Sequence, residues 1–150
     1  MSSDRRRPLP LVLGFLSLTR LTVNTAHRFV FPFLPAISRG LGISLEQGGL
    51  LMSARSLAGV ATPAVVASAG RSERRVRLAV WGLGLMAVGA TITAATSAYV
   101  GAFAGFILLG LGKPSFDSAA VAYVADRTPY DRRARYLSFL ELTWAGGLLV

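Results

Sequence analysis

The stretch GLGKPSFDSAAVAYVAD, beginning at Gly110, places Lys113, Pro114 and Asp117 inside a long apolar run. Lys113 and Asp117 are four residues apart, the spacing at which helical side chains meet, so they can form an ion pair. Pro114 has no N–H to donate to the carbonyl of Gly110, which loosens a helix beside that pair. A bent helix with a freed carbonyl next to two charges suits a cavity wall. The other reading is a pair that only locks this helix to a neighbour. Arg20, Asn24 and His27 follow three-to-four spacing nearer the N-terminus and share one helical face with Phe31. Glu141 and Trp144 share a face near the other end of the chain. The chemistry open to this set is ion pairing, hydrogen bonding to a polar solute, and proton exchange. Asp117, Glu141 and His27 can all titrate when desolvated.

Other chemistries lack their residues. There is one histidine, and there is no H-E-x-x-H, no G-x-S-x-G and no phosphate loop. The chain has no cysteine, which excludes disulfides, thiolate metal sites and a thiol nucleophile. Asp117 and Glu141 could act as a carboxylate pair, but no nucleophile arrangement accompanies them. The sequence therefore reads as neither an enzyme nor a cofactor-binding or metal-binding protein.

The elements that must position these residues follow from composition. Of 150 residues, 53% are hydrophobic and only 15% charged. Soluble domains average about 25% charged residues, so this chain is too apolar for one water-soluble core. The expected class is an all-α polytopic transmembrane helix bundle. A hydrocarbon core of about 30 Å needs roughly 20 helical residues. The apolar segments predict helices near 9–37, 47–69, 76–95, 98–125 and 135–150. From Leu78 to Gly112 no residue is charged. As one helix that run would be roughly 50 Å long, too long for a single crossing. It must turn back, and the polar stretch ATSAY at 95–99 is the place to do so. The basic start and first apolar run resemble a signal peptide. No small-residue cleavage site closes the run, and a retained anchor helix is the expected outcome.

Charge placement sets the orientation. Arg5, Arg6 and Arg7 precede the first helix. Arg71, Arg74, Arg75 and Arg77 fall between the second and third, and Arg127, Arg132, Arg133 and Arg135 between the fourth and fifth. The intervening loops carry only Arg39. Basic loops favour the cytoplasmic side, so a multi-pass protein of the plasma membrane with a cytoplasmic N-terminus is expected. The net charge of +9 is then a matter of topology and anionic lipid contact rather than nucleic-acid binding. Gly101 and Gly105 form a G-x-x-x-G, and Gly82, Gly84, Gly89 and Gly110 add smooth helix faces for close packing.

Charges inside the segments mark a pathway or one another. Arg20 falls near mid-depth and needs a partner or water. Arg28 and Arg55 fall nearer the outer surface, where snorkelling is as open as a lining role. Glu141 can pair with a loop arginine or face the cavity. Arg20, Arg28, Arg55 and Lys113 stand against Asp117 and Glu141. That balance favours an anionic small-molecule substrate, with protons as a second candidate partner.

The arrangement resembles the major facilitator superfamily. That family's loop between helices 2 and 3 reads approximately G-x-x-x-D-R-x-G-R-R. Here the aligned residues are Val66, then ASA, then Gly70, Arg71, Ser72, Glu73, Arg74 and Arg75. Arg71, Arg74 and Arg75 match. Val66, Gly70 and Glu73 depart from the pattern, and Glu73 is the one nearby replacement for the missing acid. The family's helix 4 often carries an arginine four residues before a G-x-G. That place is Phe106 here, with Lys113 as the substitute cation. The stretches RFVFPFLPAISRGLGIS, GKPSFDSAAVAYVADRTPYDRRAR and ELTWAGGLLV also read like one branch of the family. The resemblance implies secondary active transport of a small solute, by alternating access, in a protein of twelve helices in two halves. Residues 1–150 would then be an incomplete N-terminal domain that needs the remaining helices to transport. The alternative is a small non-transporting membrane protein, such as an assembly or regulatory subunit.

Overall fold

A computed structural model describes residues 9–60, 62 and 72–146, with side chains for 11–60, 62 and 74–143. The described residues form five helices and no strand: α1 (Leu9–Gly40), α2 (Leu45–Val60), α3 (Ser72–Ala95), α4 (Tyr99–Arg127) and α5 (Tyr130–Gly146). Arg71 and Pro63 lie outside the described residues.

Local chemistry explains where the helices stop and start. Pro32 and Pro35 lie inside α1 near its C-terminal end, yet the helix runs on to Gly40. Gly42 then takes a left-handed φ of 64°, and Ile43 N–H closes back on the Ser38 carbonyl at 3.0 Å. Glycine is the residue that reaches this conformation without strain. Ser44 and Gln47 form a reciprocal cap on α2. Gln47 N–H donates to Ser44 Oγ at 3.1 Å, and Ser44 N–H donates to Gln47 Oε1 at 3.0 Å. Between α3 and α4, Ala98 N–H donates to Thr96 Oγ1 at 3.1 Å, closing a tight turn within ATSAY. Past Pro129, α5 begins at Tyr130, five residues before the sequence-expected start at 135. Proline suits a helix entrance, and Arg132 N–H donates to its carbonyl at 3.1 Å.

The helices sort into two compact units. In one, residues 29–120, α2, α3 and most of α4 pack together with the C-terminal part of α1. Leu51, Ala102 and Phe106 are its buried apolar cluster. Phe106, at the place where the resemblance suggests an arginine, is wholly apolar packing. The α3–α4 contact is glycine on glycine. A Cβ on Gly82 would stand 2.7 Å from the Gly112 carbonyl oxygen, and one on Gly105 would stand 2.8 Å from that of Gly89. The interface therefore repeats every seven residues on each helix, with backbones in direct contact. Gly84 faces open space, and the atoms nearest to Gly101 belong to Thr96 of the turn. The G-x-x-x-G read from the sequence is half of a different pattern.

The other unit comprises residues 1–28 and 121–150. Leu13 of α1, Val124 of α4 and Leu140 of α5 form its buried cluster, with Leu16, Tyr123, Tyr136 and Leu137 around them.

Two described helices are long and apolar enough to cross a membrane: Arg74–Ala95, with mean hydropathy 1.8, and Tyr99–Arg127, with mean hydropathy 1.3. Only 17% of the apolar window of α3 is buried, and Trp81 is 69% exposed. A buried core helix would hide that surface. Lipid is the solvent in which exposing it costs nothing.

Candidate functional site

Charged and polar side chains gather at two places, one in each unit. In the first, Arg20 of α1 is buried and held by α5. Its Nη1 donates to the Leu140 carbonyl and to Glu141 Oε1, both at 3.1 Å. Arg20 occupies this place because it follows Leu13 and Leu16 at helical spacing, and both pack into this unit's core. A buried guanidinium without a counterion would be costly, and Glu141 supplies the charge. The partner is thus a residue of α5 rather than a loop arginine for Glu141. The pair is uneven: the Arg20 side chain is 5% exposed and that of Glu141 59%.

One turn along α1, Asn24 is buried, and its Nδ2 donates weakly to the Thr143 carbonyl at 3.4 Å. Its Oδ1 has no hydrogen-bond partner among the described residues. A buried acceptor left unsatisfied costs on the order of 1–3 kcal/mol, so this atom is primed for a donor. His27 follows on the same face and is half-buried. Trp144 belongs to α5, but its side chain lies outside the described residues.

The second place is built on α4. Lys113 is buried, and its Nζ donates to Asp117 Oδ2. The two side chains are 10% and 21% exposed. Pro114 lies between them. A Cβ on Gly59 of α2 would stand 3.2 Å from both the Gly110 carbonyl oxygen and Pro114 Cγ. The carbonyl freed by the proline therefore faces a glycine of the neighbouring helix.

Sequence reading left Arg55 undecided, and the structure buries it. Gly110 of α4 packs directly against the backbone of Arg55, one turn before Lys113. The Arg55 guanidinium also lies 6.0 Å above the Phe31 ring. The signal was available. Gly48, Leu51 and Arg55 are the buried residues of α2, and Gly59 continues the same face at helical spacing. An arginine on the small-residue face of a helix points into protein, whatever its distance from the segment end.

The loop residues behave differently. Glu73, Arg74 and Arg75 begin α3, with Arg74 exposed and Arg75 half-buried. The side chain of Glu73 lies outside the described residues. Among the described residues, no group of three or more His, Cys, Asp or Glu could hold a metal ion.

These elements share a pattern: apolar helices packed through glycine, buried cations paired inside them, and basic connections between them. The sequence model of the Major Facilitator Superfamily matches residues 13–150. The chain belongs to the Major Facilitator Superfamily. Neither a curated relative nor a solved structure matches it. Superfamily membership makes this an integral membrane protein whose function is the transport of small solutes across the bilayer. Members are transporters rather than enzymes. The match therefore favours transport over a small assembly or regulatory subunit.

Proposed function

We propose that this superfamily chain serves secondary active transport of a small anionic solute by alternating access, together with the remaining helices of a full-length transporter. One observation carries the reading: Arg20 is buried while its counterion Glu141 is mostly exposed. The cation is fixed by packing and by the Leu140 carbonyl. The carboxylate is the accessible partner. A substrate anion can take its place on Arg20, and the vacant Asn24 Oδ1 can accept a hydrogen bond from the same molecule. Lys113 and Arg55 add buried positive charge to the other unit, with Asp117 as acid.

Proton coupling is the second reading, supported by two embedded carboxylates and His27. Each carboxylate sits beside a cation that a bound anion can also use. The basic connections support a cytoplasmic N-terminus.

Uptake into proteoliposomes across a panel of small anions, cations and neutral solutes, at two pH values, tests both readings. Saturable uptake confined to anions is expected. Uptake confined to cations would refute the anion assignment. Uptake that ignores both pH and Asp117→Asn would remove Asp117 from proton coupling.

A further inference from the structure

The first turns of α5 carry a cavity of about 510 Å³ lined by Arg132, Arg135 and Tyr136. The arginines around the α4–α5 turn divide into two kinds. Arg127 lies over the Tyr123 ring at 4.4 Å, and Arg133 lies near the Tyr130 ring at 5.9 Å. Arg132 and Arg135 open onto the cavity instead. Arg132 makes one loose contact, 3.6 Å to Asp131, with both side chains over 70% exposed at 71% and 72%. Such a contact holds an arginine only weakly.

The same face of α5 continues with Phe139 and Leu142, which are 54% and 64% exposed. Positions 132, 135, 139 and 142 follow three-to-four spacing, so they form one stripe. Leu137 and Leu140 lie on the packed side. Along roughly 15 Å of helix the stripe passes from guanidinium to apolar. A free phosphate would satisfy the arginines and leave Phe139 and Leu142 bare. A molecule with a phosphate head and an acyl chain matches the whole stripe.

We propose that this stripe is a binding site for an anionic phospholipid. The phosphate lies between Arg132 and Arg135, Tyr136 supplies a further donor, and the acyl chain runs along Phe139 and Leu142. Arginine suits this role because its planar fork binds phosphate oxygens in pairs. The site lies on the connection whose charge is expected at the anionic cytoplasmic leaflet. The proposal is independent of which solute is carried.

The test is native mass spectrometry of the purified protein titrated with phosphatidylglycerol, phosphatidylcholine or glycerol phosphate. Wild type is expected to hold phosphatidylglycerol in preference to phosphatidylcholine. The pair Arg132→Gln and Arg135→Gln is expected to lose roughly 30-fold in phosphatidylglycerol affinity, about fivefold for each surface arginine. Arg132→Lys with Arg135→Lys is expected to keep most of the binding. Both side chains are exposed, so the variants should fold, and an unchanged unfolding midpoint in phosphatidylcholine checks this. If the glutamine pair fails that check, the same comparison with Phe139→Gln and Leu142→Gln carries the test. Glutamine variants that bind phosphatidylglycerol like wild type would overturn the proposal. Glycerol phosphate binding as tightly as the lipid would also overturn it, assigning the cavity to a free anion.

Discussion

Arg20 and Lys113 both carry positive charge inside apolar helices, but they reach their counterions differently. Arg20 finds Glu141 on another helix, 121 positions away in sequence. Lys113 finds Asp117 one turn along its own helix. A pair of the second kind can form as soon as its helix forms. A pair of the first kind exists only once α1 and α5 have packed. The exposures differ in the same sense. Both members of the local pair are largely buried, whereas the long-range pair buries its cation and leaves its anion accessible. An accessible anion on a buried cation is what the proposed exchange of a counterion for a substrate requires.

The contrast is broken most directly at Arg20. Arg20→Ala is expected to destabilise the protein by about 1–3 kcal/mol, because it removes buried packing and the hydrogen bonds between α1 and α5 but leaves only a mostly exposed carboxylate behind. Glu141→Gln should cost more, about 3 kcal/mol, since it leaves the buried Arg20 guanidinium without its counterion. Unfolding midpoints in detergent check both. Equal losses would show that the pair is not uneven in energy as it is in burial.

Next in size is the packing that holds the second centre. In Gly112→Ala the new Cβ would stand 2.6 Å from the Gly82 carbonyl oxygen, a backbone atom that cannot swing aside. A loss of about 1–3 kcal/mol is expected. Gly84→Ala meets nothing within 4 Å and should gain up to about 1 kcal/mol from helix propensity. The same midpoint assay separates them, and a neutral Gly112→Ala would mean that α3 and α4 do not touch there.

The local pair should matter less for stability than for transport. Lys113→Ala and Asp117→Ala are each expected to abolish uptake while lowering stability by only about 1–2 kcal/mol. Exchanging the two charges sharpens the point. Recovered uptake would assign the pair to structure, and continued loss would assign it to solute contact. The smallest effect is at the α2 cap: Ser44→Ala should cost about 1 kcal/mol without changing the uptake KM.

Much of this architecture was readable in the chain. The charge-free run from Leu78 to Gly112 required a turn, and Thr96 makes it. The i, i+4 spacing of Lys113 and Asp117 required no tertiary knowledge, because both residues ride one helix. Pairing across helices was not readable. Arg20 demanded a partner, but two embedded acids were available, and spacing on one helix says nothing about which neighbour faces it. Arg55 was obscured for a different reason. Its distance from the segment end suggested the interface, while its burial is set by Gly110 on another helix. The glycine contacts show the same limit. Glycine content announced close packing, but nothing in the spacing says which of Gly82, Gly84 and Gly89 face α4.

The central claim is that buried Arg20 receives a substrate anion in exchange for Glu141. The deciding measurement is kcat/KM for anion uptake in proteoliposomes containing Arg20→Gln or Glu141→Gln. The account predicts a fall of about 100-fold or more for Arg20→Gln, equivalent to roughly 2.7 kcal/mol of transition-state binding. It predicts retained uptake with an altered KM for Glu141→Gln. A folded Arg20→Gln protein that carries anions as well as wild type would contradict it.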